Sequence, residues 1–226
     1  MDSFVNFLDG ISSKSLYVFD IRIPSSKYVP INLSDRNKLL QDVDVSSSSS
    51  LEKFINEHIK KQNGLVGFGG YNETRAIYQC SKHFNAETER NIHLGVDLWA
   101  EVETPIYTPL DATIHSFKNN TNYGDYGPTI ILQHEIKGIV FYTLYGHLSL
   151  QSIANLKMGQ VFKQGEVIGT LGDTKINGDY PPHVHFQIIK NIQDYHGDYP
   201  GVCSKTDLGF YLENCPNPNL LLKLKS

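Results

Sequence analysis

The chain has 226 residues, of which 40% are hydrophobic and 19% are charged, so it is long enough to bury one sizeable core. Its formal net charge is -4, and the absence of any lysine and arginine run argues against a nucleic-acid partner or an anionic membrane surface. Its apolar runs are shorter than the roughly 18 residues that a spanning helix needs, and we therefore predict no membrane span.

The first 65 residues are predicted to form a small α+β N-terminal extension. Residues 16–23 have the composition of a strand. A run of five serines then predicts a flexible loop. Apolar residues at helical spacing follow it and predict a helix at residues 51–62, with Ser49 and Glu52 at the spacing of a capping box. We expect that the extension is not needed for the metal site predicted below.

Residues 66–226 are predicted to form a second, mainly β domain. Glycine, proline and tyrosine become frequent there, and short apolar runs alternate with turn signals such as Asn-Gly and Gly-Pro. Many short strands at close spacing predict an antiparallel β-sandwich or a barrel-like sheet. The predicted strands are residues 76–80, 92–99, 106–110, 112–117, 129–134, 139–147, 167–171 and 183–189.

The cysteines and the N-terminal sequence bear on the cellular compartment. Three cysteines do not make a disulfide framework. Cys203 and Cys215 could pair in an oxidising compartment or stay as free thiols in a cytosol. The N-terminus lacks a basic start followed by an apolar block, so we predict no signal peptide and a cytoplasmic location.

The stretch between Tyr180 and Gln187 is typical of a strand that carries metal ligands. In a strand, His183 and His185 point to one face, while Val184 and Phe186 point to the other face and into a core. Two imidazoles side by side, with apolar residues behind them, suggest part of a metal site. Taken alone, the His-x-His pattern also fits a pair of surface histidines.

Two further stretches carry candidate site residues. His93 and Asp97 are four residues apart, which in a straight strand is roughly 13 Å and too far for one metal ion. Gly95 between them permits the bend that would bring them together. His147 ends the most apolar run of the chain and follows Gly146, a residue that allows close approach of another group.

The order His-x-x-x-Asp, then Gly-His-Leu, then His-x-His-Phe resembles the lysostaphin/LytM-type zinc metallopeptidases, endopeptidases best known for cutting bacterial peptidoglycan peptides. Residues 93–117 and 156–172 also resemble blocks of that family, so the resemblance covers roughly residues 75–195. Residues 177–182 stand where the family usually has a Gly-Pro pair. This variant looks most like a subgroup found in fusions with kinase-like and aminotransferase modules.

The resemblance implies a role for each of five residues. His93, Asp97 and His185 match the zinc ligands, and His147 and His183 match the two catalytic histidines, with one Zn²⁺ per chain. Two neutral imidazoles and one carboxylate would leave zinc an open fourth position for water, whose pKa then falls towards roughly 7. The implied function is a zinc-dependent metallo-endopeptidase that hydrolyses a peptide bond in peptidoglycan-type peptides or in peptides that contain glycine or D-amino acids. The implied partner is a peptide or peptidoglycan-type substrate. Which catalytic histidine is the base and which is the proton donor stays open.

Three alternatives compete with this prediction. One is a non-catalytic binding module on the same fold, and another is a zinc amidohydrolase of a small cytosolic amide or peptide. The third is a carrier domain, because residues 109–117 and 161–169 also resemble the strands of biotinyl and lipoyl domains. A carrier needs an exposed lysine at a hairpin tip between such strands, and we find no convincing equivalent.

Several other polar residues are candidates for substrate contacts. Arg75 could bind a substrate carboxylate in a bidentate manner or form a surface salt bridge. Tyr123, Tyr126 and Tyr180 lie in glycine-rich loops and could line a groove or merely cover the surface. Outside this set, His115 and His134 are expected to pack within strands, and His83 and His196 are expected to lie in loops.

Overall fold

The computed structural model describes residues 3–75 and 89–225, and this part of the chain is mainly β. The helices are α1 (Ser3–Asp9), α2 (Ser48–Lys61), α3 (Leu208–Asn214) and α4 (Asn219–Leu222). The strands are β1 (Tyr28–Pro30), β2 (Val66–Gly69), β3 (Glu73–Thr74), β4 (Ile92–His93), β5 (Val96–Trp99), β6 (Pro105–Tyr107), β7 (Ala112–Asn120), β8 (Gly127–Ile136), β9 (Ile139–Gly146), β10 (Val161–Phe162), β11 (Val167–Thr170), β12 (His183–Ile189) and β13 (Val202–Cys203). None of the helices in these ranges is long and apolar enough to cross a membrane.

One large sheet forms the centre of the molecule. Its eight strands follow the order β1-β2-β5-β12-β9-β8-β7-β10, with a two-stranded sheet (β11-β6) and a three-stranded sheet (β13-β4-β3) beside it. The strand pairs are antiparallel except for β1 with β2, which is parallel. The predicted fold class, a mainly β protein with an antiparallel core, is confirmed.

Strand β12 alternates between the core and the site, as its sequence predicts. Val184 and Phe186 are fully buried in the largest apolar cluster of the described residues. Their neighbours His183 and His185 point the other way and are also buried. The strand is therefore central in the sheet, and its polar face opens onto a cavity rather than onto bulk water.

The strand register brings the predicted site residues side by side. Strand β12 pairs with β5 on one side and with β9 on the other, so Asp97 and Gly146 lie directly opposite His185. His147 follows Gly146 at the end of β9, and His183 pairs with Trp99. Residues that are far apart in sequence thus meet towards the same end of three adjacent strands.

Two predicted strands differ from the structure. Residues 92–99 form two short strands, β4 and β5, which belong to different sheets because the chain turns at residues 94–95. Residues 16–23 do not form a strand, because the carboxylate of Asp20 accepts the backbone N–H of Arg22 at 2.8 Å and closes a turn. The predicted strand at residues 76–80, like His83, lies outside the described residues.

The N-terminal extension is joined to the large sheet. Strand β1 adds to β2 in register, with Tyr28 opposite Val66, and β2 in turn pairs with β5. Helix α2 begins at residue 48, three residues earlier than predicted, because the Ser47 side chain accepts the backbone N–H of Ser50 and caps the helix. The domain boundary at residue 65 stays a prediction, although hydrogen bonding is continuous across it.

The predicted alternatives for the cysteines can be compared with the structure directly. Cys203 lies in β13 and Cys215 follows α3, and both thiols are buried and free. Burial raises the pKa of Cys203 to about 11 and that of Cys215 to about 12. Both side chains are therefore neutral thiols near neutral pH and pack as small apolar groups.

Candidate metal centre and active site

Five predicted site residues converge on one cavity of about 470 Å³. His93, Asp97, His147, His183 and His185 all line it, and each is at most 5% exposed to solvent. Buried ionisable groups are costly unless they are paired or bind a ligand. The concentration of five such groups in one cavity therefore makes it the candidate functional site.

Three of these residues place one donor atom each at a common point. Nε2 of His93 and Nδ1 of His185 both lie 3.2 Å from Oδ1 of Asp97, and the two ring nitrogens are 2.8 Å apart. Ligand atoms around 2.0–2.2 Å from a tetrahedral zinc ion lie about 3.3–3.6 Å from one another. The three atoms are thus spaced almost as the ligands of a single tetrahedral ion would be.

The outer nitrogens of the imidazoles show where the protons lie. Nδ1 of His93 is 2.9 Å from the carbonyl of Gly70, and Nε2 of His185 is 2.8 Å from Oε1 of Gln187. Both oxygens can only accept, so each outer nitrogen carries a proton and donates it outwards. With one proton on each ring, the inner nitrogens of His93 and His185 present lone pairs towards each other.

This arrangement fits a metal ion. Two lone pairs at 2.8 Å and a carboxylate oxygen repel one another unless a cation lies between them. Two imidazoles and one carboxylate are also the donor set of catalytic zinc sites, which keep a fourth position open. Within the described residues, His93, Asp97 and His185 form the group whose donor atoms could share one ion.

Arg75 orients the carboxylate of this group. Its Nη1 donates to Oδ2 of Asp97 at 2.6 Å and its Nε donates to Oε2 of Glu73 at 2.7 Å, with the Arg75 side chain only 3% exposed. The predicted surface salt bridge is wrong, because Arg75 is buried and pairs with Asp97 and Glu73. Contact of Arg75 with a substrate carboxylate stays a prediction, and Arg75 lines the same cavity as the histidines. Binding of Oδ2 by Arg75 leaves Oδ1 as the oxygen that faces the two histidines.

Burial and neighbouring charge set the protonation states of the group. Burial lowers the pKa of His93 to about 4. Burial alone would raise the pKa of Asp97, but His93 and the Arg75 guanidinium outweigh it and hold that pKa well below its ordinary value. Near neutral pH the carboxylate is charged and the His93 imidazole is neutral, which are the states that bind a metal ion.

The other two histidines stand beside this group with their own outward hydrogen bonds. Nδ1 of His147 donates to the carbonyl of Asn177 and Nδ1 of His183 donates to that of Pro181, both at 2.7 Å. Their ring centres are 4.2 Å apart, and Nε2 of His183 is 3.8 Å from Oδ1 of Asp97. The Nε2 atoms of both rings are therefore unprotonated in the neutral state and available to accept a proton.

His147 combines a strained backbone conformation with a buried side chain, and both features are typical of functional residues. Its φ angle is 63°, a left-handed conformation that costs free energy for a residue with a side chain and that clusters at functional sites. Burial, reinforced by the nearby His183, lowers the pKa of His147 well below its ordinary value. Burial likewise lowers the pKa of His183. Both side chains are thus held as neutral bases near neutral pH.

Two glycines make room for the rings of the site. A Cβ on Gly95 would lie 2.6 Å from Cε1 and Nε2 of His185, and one on Gly146 would lie 2.5 Å from Cδ1 of Tyr126. The chain does turn near Gly95, as predicted, but the stronger requirement is space for the His185 ring. Close approach at Gly146 is also as predicted, and the group that approaches is the ring of Tyr126.

Gln187 is a site residue that the sequence analysis missed. It shares a face of β12 with His185, and its Oε1 accepts from Nε2 of that ring at 2.8 Å. Its Nε2 donates to the carbonyl of Pro200 at 3.2 Å, which fixes the orientation of the amide. The two-residue period of a strand could have revealed it, because a residue two positions after His185 must point to the same face.

We expect the substitution Gln187→Met to weaken zinc binding by about 10–100-fold, because it removes the oxygen that holds the His185 ring in its tautomer. Gln187→Glu retains an oxygen at that position and is expected to recover part of the loss. Competition with a chromophoric chelator measures both affinities. Equal zinc affinity in the methionine variant and the unmodified chain would show that Gln187 has no positioning role.

The remaining candidates divide into cavity residues and structural residues. Tyr123, Tyr126 and Tyr180 line the same cavity as the histidines, as one of their two predicted roles requires. His134 is fully buried in β8 and bonds to the carbonyl of Asp111, so it is a structural residue. The other two described candidates, His115 and His196, stack on each other with ring centres 5.3 Å apart and do not line the cavity.

Parts of the chain are similar to known proteins. Residues 91–196 match the family model described as Peptidase family M23. The chain is 33% identical over 98 residues to the peptidoglycan DD-endopeptidase ShyA of Vibrio cholerae, an alignment that covers 43% of this chain and 20% of ShyA. The family-model match spans all five of the predicted site residues.

Solved structures of peptidases are also similar to this chain. A zinc-containing peptidase from Vibrio cholerae is 26% identical, with coverage of 48% of this chain and 32% of that chain and a TM-score of 0.36. The catalytic domain of lysostaphin from Staphylococcus simulans is 23% identical, with coverage of 71% and 96% and a TM-score of 0.40. The chain spans about a fifth of the length of the curated relatives that it matches.

Proposed function

We propose that this chain is a zinc-dependent metallo-endopeptidase that hydrolyses a peptide bond. The observation that carries the proposal is the convergence of three proton-free donor atoms, on His93, Asp97 and His185, with every outer atom of the group bonded outwards. The match of residues 91–196 to a peptidase family supports the same chemistry. Two proton acceptors, His147 and His183, stand at the same cavity.

In this proposal His93, Asp97 and His185 hold one zinc ion. Zinc, when bound, supplies Lewis acidity towards a carbonyl oxygen and towards water. Arg75 and Gln187 keep Asp97 and His185 in the orientation that binding requires. The burial of this group excludes bulk water, so each charge acts at a lower dielectric than at the surface.

His147 and His183 move the protons of the reaction. Each has its Nδ1–H committed to a backbone carbonyl, which leaves Nε2 to take a proton from the attacking water. The imidazole that has taken this proton can return it to the leaving amine, and the other can hydrogen-bond to the reacting groups. The two residues have equivalent outward bonds, so the assignment of base and donor between them stays open.

The substrate in this proposal is a peptide. Peptidoglycan-type peptides are the candidate, because the similar protein ShyA is named a peptidoglycan DD-endopeptidase. A likeness to the subgroup fused to kinase-like and aminotransferase modules stays part of the proposal. A zinc amidohydrolase of a small cytosolic amide or peptide would use the same five residues. Cleavage assays on muropeptides and on simple peptides separate these substrates.

Elemental analysis of protein purified without chelator or nickel resin is the direct test. We expect about one zinc ion per chain, followed by cleavage of a peptide substrate that a chelator abolishes and added zinc restores. A chain that contains no metal and takes up none when zinc is added would contradict the proposal. That result would favour the alternative of a non-catalytic binding module.

A further inference from the structure

A second cavity adjoins the site, and it is built from the N-terminal extension alone. Its volume is about 130 Å³, and its lining residues all fall between positions 33 and 51. Half of its lining residues are apolar, Leu33, Leu40, Val45 and Leu51, and the other half are polar, Ser34, Asp35, Asn37 and Gln41. We refer to it as the extension pocket.

The extension pocket borders the catalytic cavity directly. Leu33 and Leu51 line both spaces, and they are only 6% and 3% exposed. Both belong to an apolar cluster with Trp99, whose ring stacks on His183 with centres 6.0 Å apart. Leu33 and Leu51 therefore form an apolar boundary that the catalytic cavity, near His183, shares with the extension pocket.

We propose that the extension pocket is a specificity subsite that binds a bulky apolar side chain of the substrate peptide, on the His183 side of the scissile bond. This inference rests on the proposed peptidase function. An apolar cavity of about 150 Å³ is large enough to bind benzene, so 130 Å³ suits a leucine side chain or a phenyl ring. A glycine or an alanine residue at this position would leave most of the pocket volume unfilled.

The contacts of the extension hold the pocket in place. The backbone N–H of Leu33 donates to Oε1 of Glu73 at 3.0 Å, and Glu73 is the partner of Arg75 behind the metal group. At the start of α2, Oγ of Ser48 donates to Oδ1 of Asp179 at 2.7 Å, in the loop that precedes His183. The pocket is thus fixed to both sides of the site and is formed before substrate binds.

This subsite would select among peptides. One extra methylene group that fills an apolar pocket changes the preference between two substrates by roughly 10–200-fold. A peptide with leucine at the subsite should therefore bind roughly tenfold or more tightly than the same peptide with alanine. The substrate class would be peptides with a bulky apolar residue near the scissile bond, rather than peptides of glycine and alanine alone.

The test compares two acetylated peptide amides, one of alanine only and one with a single central leucine. Their affinities are measured by calorimetry in a His147→Ala background, which prevents hydrolysis. Val45→Phe fills the extension pocket from a half-buried position and is expected to remove the preference for leucine. Leu39→Phe is the matched control, because Leu39 is 65% exposed and outside the lining. It is expected to keep the preference.

Each outcome bears on the pocket separately from the peptidase activity. Equal binding of the two peptides, no binding of either one, or the same preference in the Val45 and Leu39 variants would overturn the subsite. Hydrolysis of both peptides at equal kcat/KM by the unmodified chain would reject the subsite and leave the proposed peptidase standing. Leucine-selective binding without hydrolysis of any peptide would support the subsite and reject the peptidase.

Discussion

The His185→Ala variant is expected to purify without zinc and without peptidase activity. The substitution removes the ring nitrogen that lies 3.2 Å from Oδ1 of Asp97 and 2.8 Å from Nε2 of His93. Loss of a residue that hydrogen-bonds to a metal ligand already weakens metal binding by about 10–100-fold. Loss of the ligand itself should therefore weaken zinc binding by more than about 100-fold. Elemental analysis and chelator competition measure the effect.

The His147→Ala variant is the matched control for this experiment. His147 borders the same cavity and is as deeply buried, but its Nε2 is not among the three converging donor atoms. We expect it to retain zinc and to lose peptidase activity by about 10²–10⁴-fold, the usual contribution of a general acid or base. Full zinc content in the His185 variant, or full activity in the His147 variant, would overturn the assignment of these two roles.

The sequence predicts much of this site because strand geometry is regular. The alternation in β12 places His183 and His185 on one face, and the structure has both lining the cavity. The pairing of Asp97 and Gly146 with His185 depends on register across three strands, which composition and spacing cannot provide. The family resemblance supplied that information, since it orders the motifs along the chain.

The residues that hydrogen-bond to the predicted metal ligands were harder to predict than the ligands themselves. Gly70 acts through a backbone carbonyl, which carries no signature in the side-chain pattern. Arg75 is a charged residue, and an exposed position is the ordinary expectation for one. Its burial depends on Glu73 and Asp97, which meet it only after β3, β4 and β5 have assembled.

The extension shows why short edge strands escape prediction. Strand β1 has three residues and β13 has two, too few for an alternating pattern to be recognised. Strand β1 lies at the edge of the large sheet, where it pairs with β2. A chain of hydrogen bonds from Leu33 through Glu73 and Arg75 to Asp97 connects the extension with the metal group. The expectation that the metal site does not need the extension stays a prediction.

The second large effect is expected at Gly95. In a Gly95→Ala variant the new Cβ would lie 2.6 Å from two atoms of the His185 ring and 2.8 Å from the carbonyl oxygen of Phe186. The Phe186 carbonyl belongs to the backbone and cannot easily move, so the His185 ring must turn away from the new Cβ. Its Nδ1 then leaves the position beside Asp97. We expect zinc affinity to fall by at least about tenfold and the melting temperature to fall through an overpacking cost of about 1–3 kcal/mol.

Gly209→Ala is the control for the same change of side chain. A Cβ at Gly209, within α3, meets no atom within 4 Å, so zinc affinity should stay unchanged and the helix should gain slightly in stability. Gly95→Ala keeps all three donor atoms, so excess zinc should restore part of its activity, whereas His185→Ala should not respond. Unchanged zinc affinity in the Gly95 variant would mean that the fit of the His185 ring against the backbone does not control the metal site.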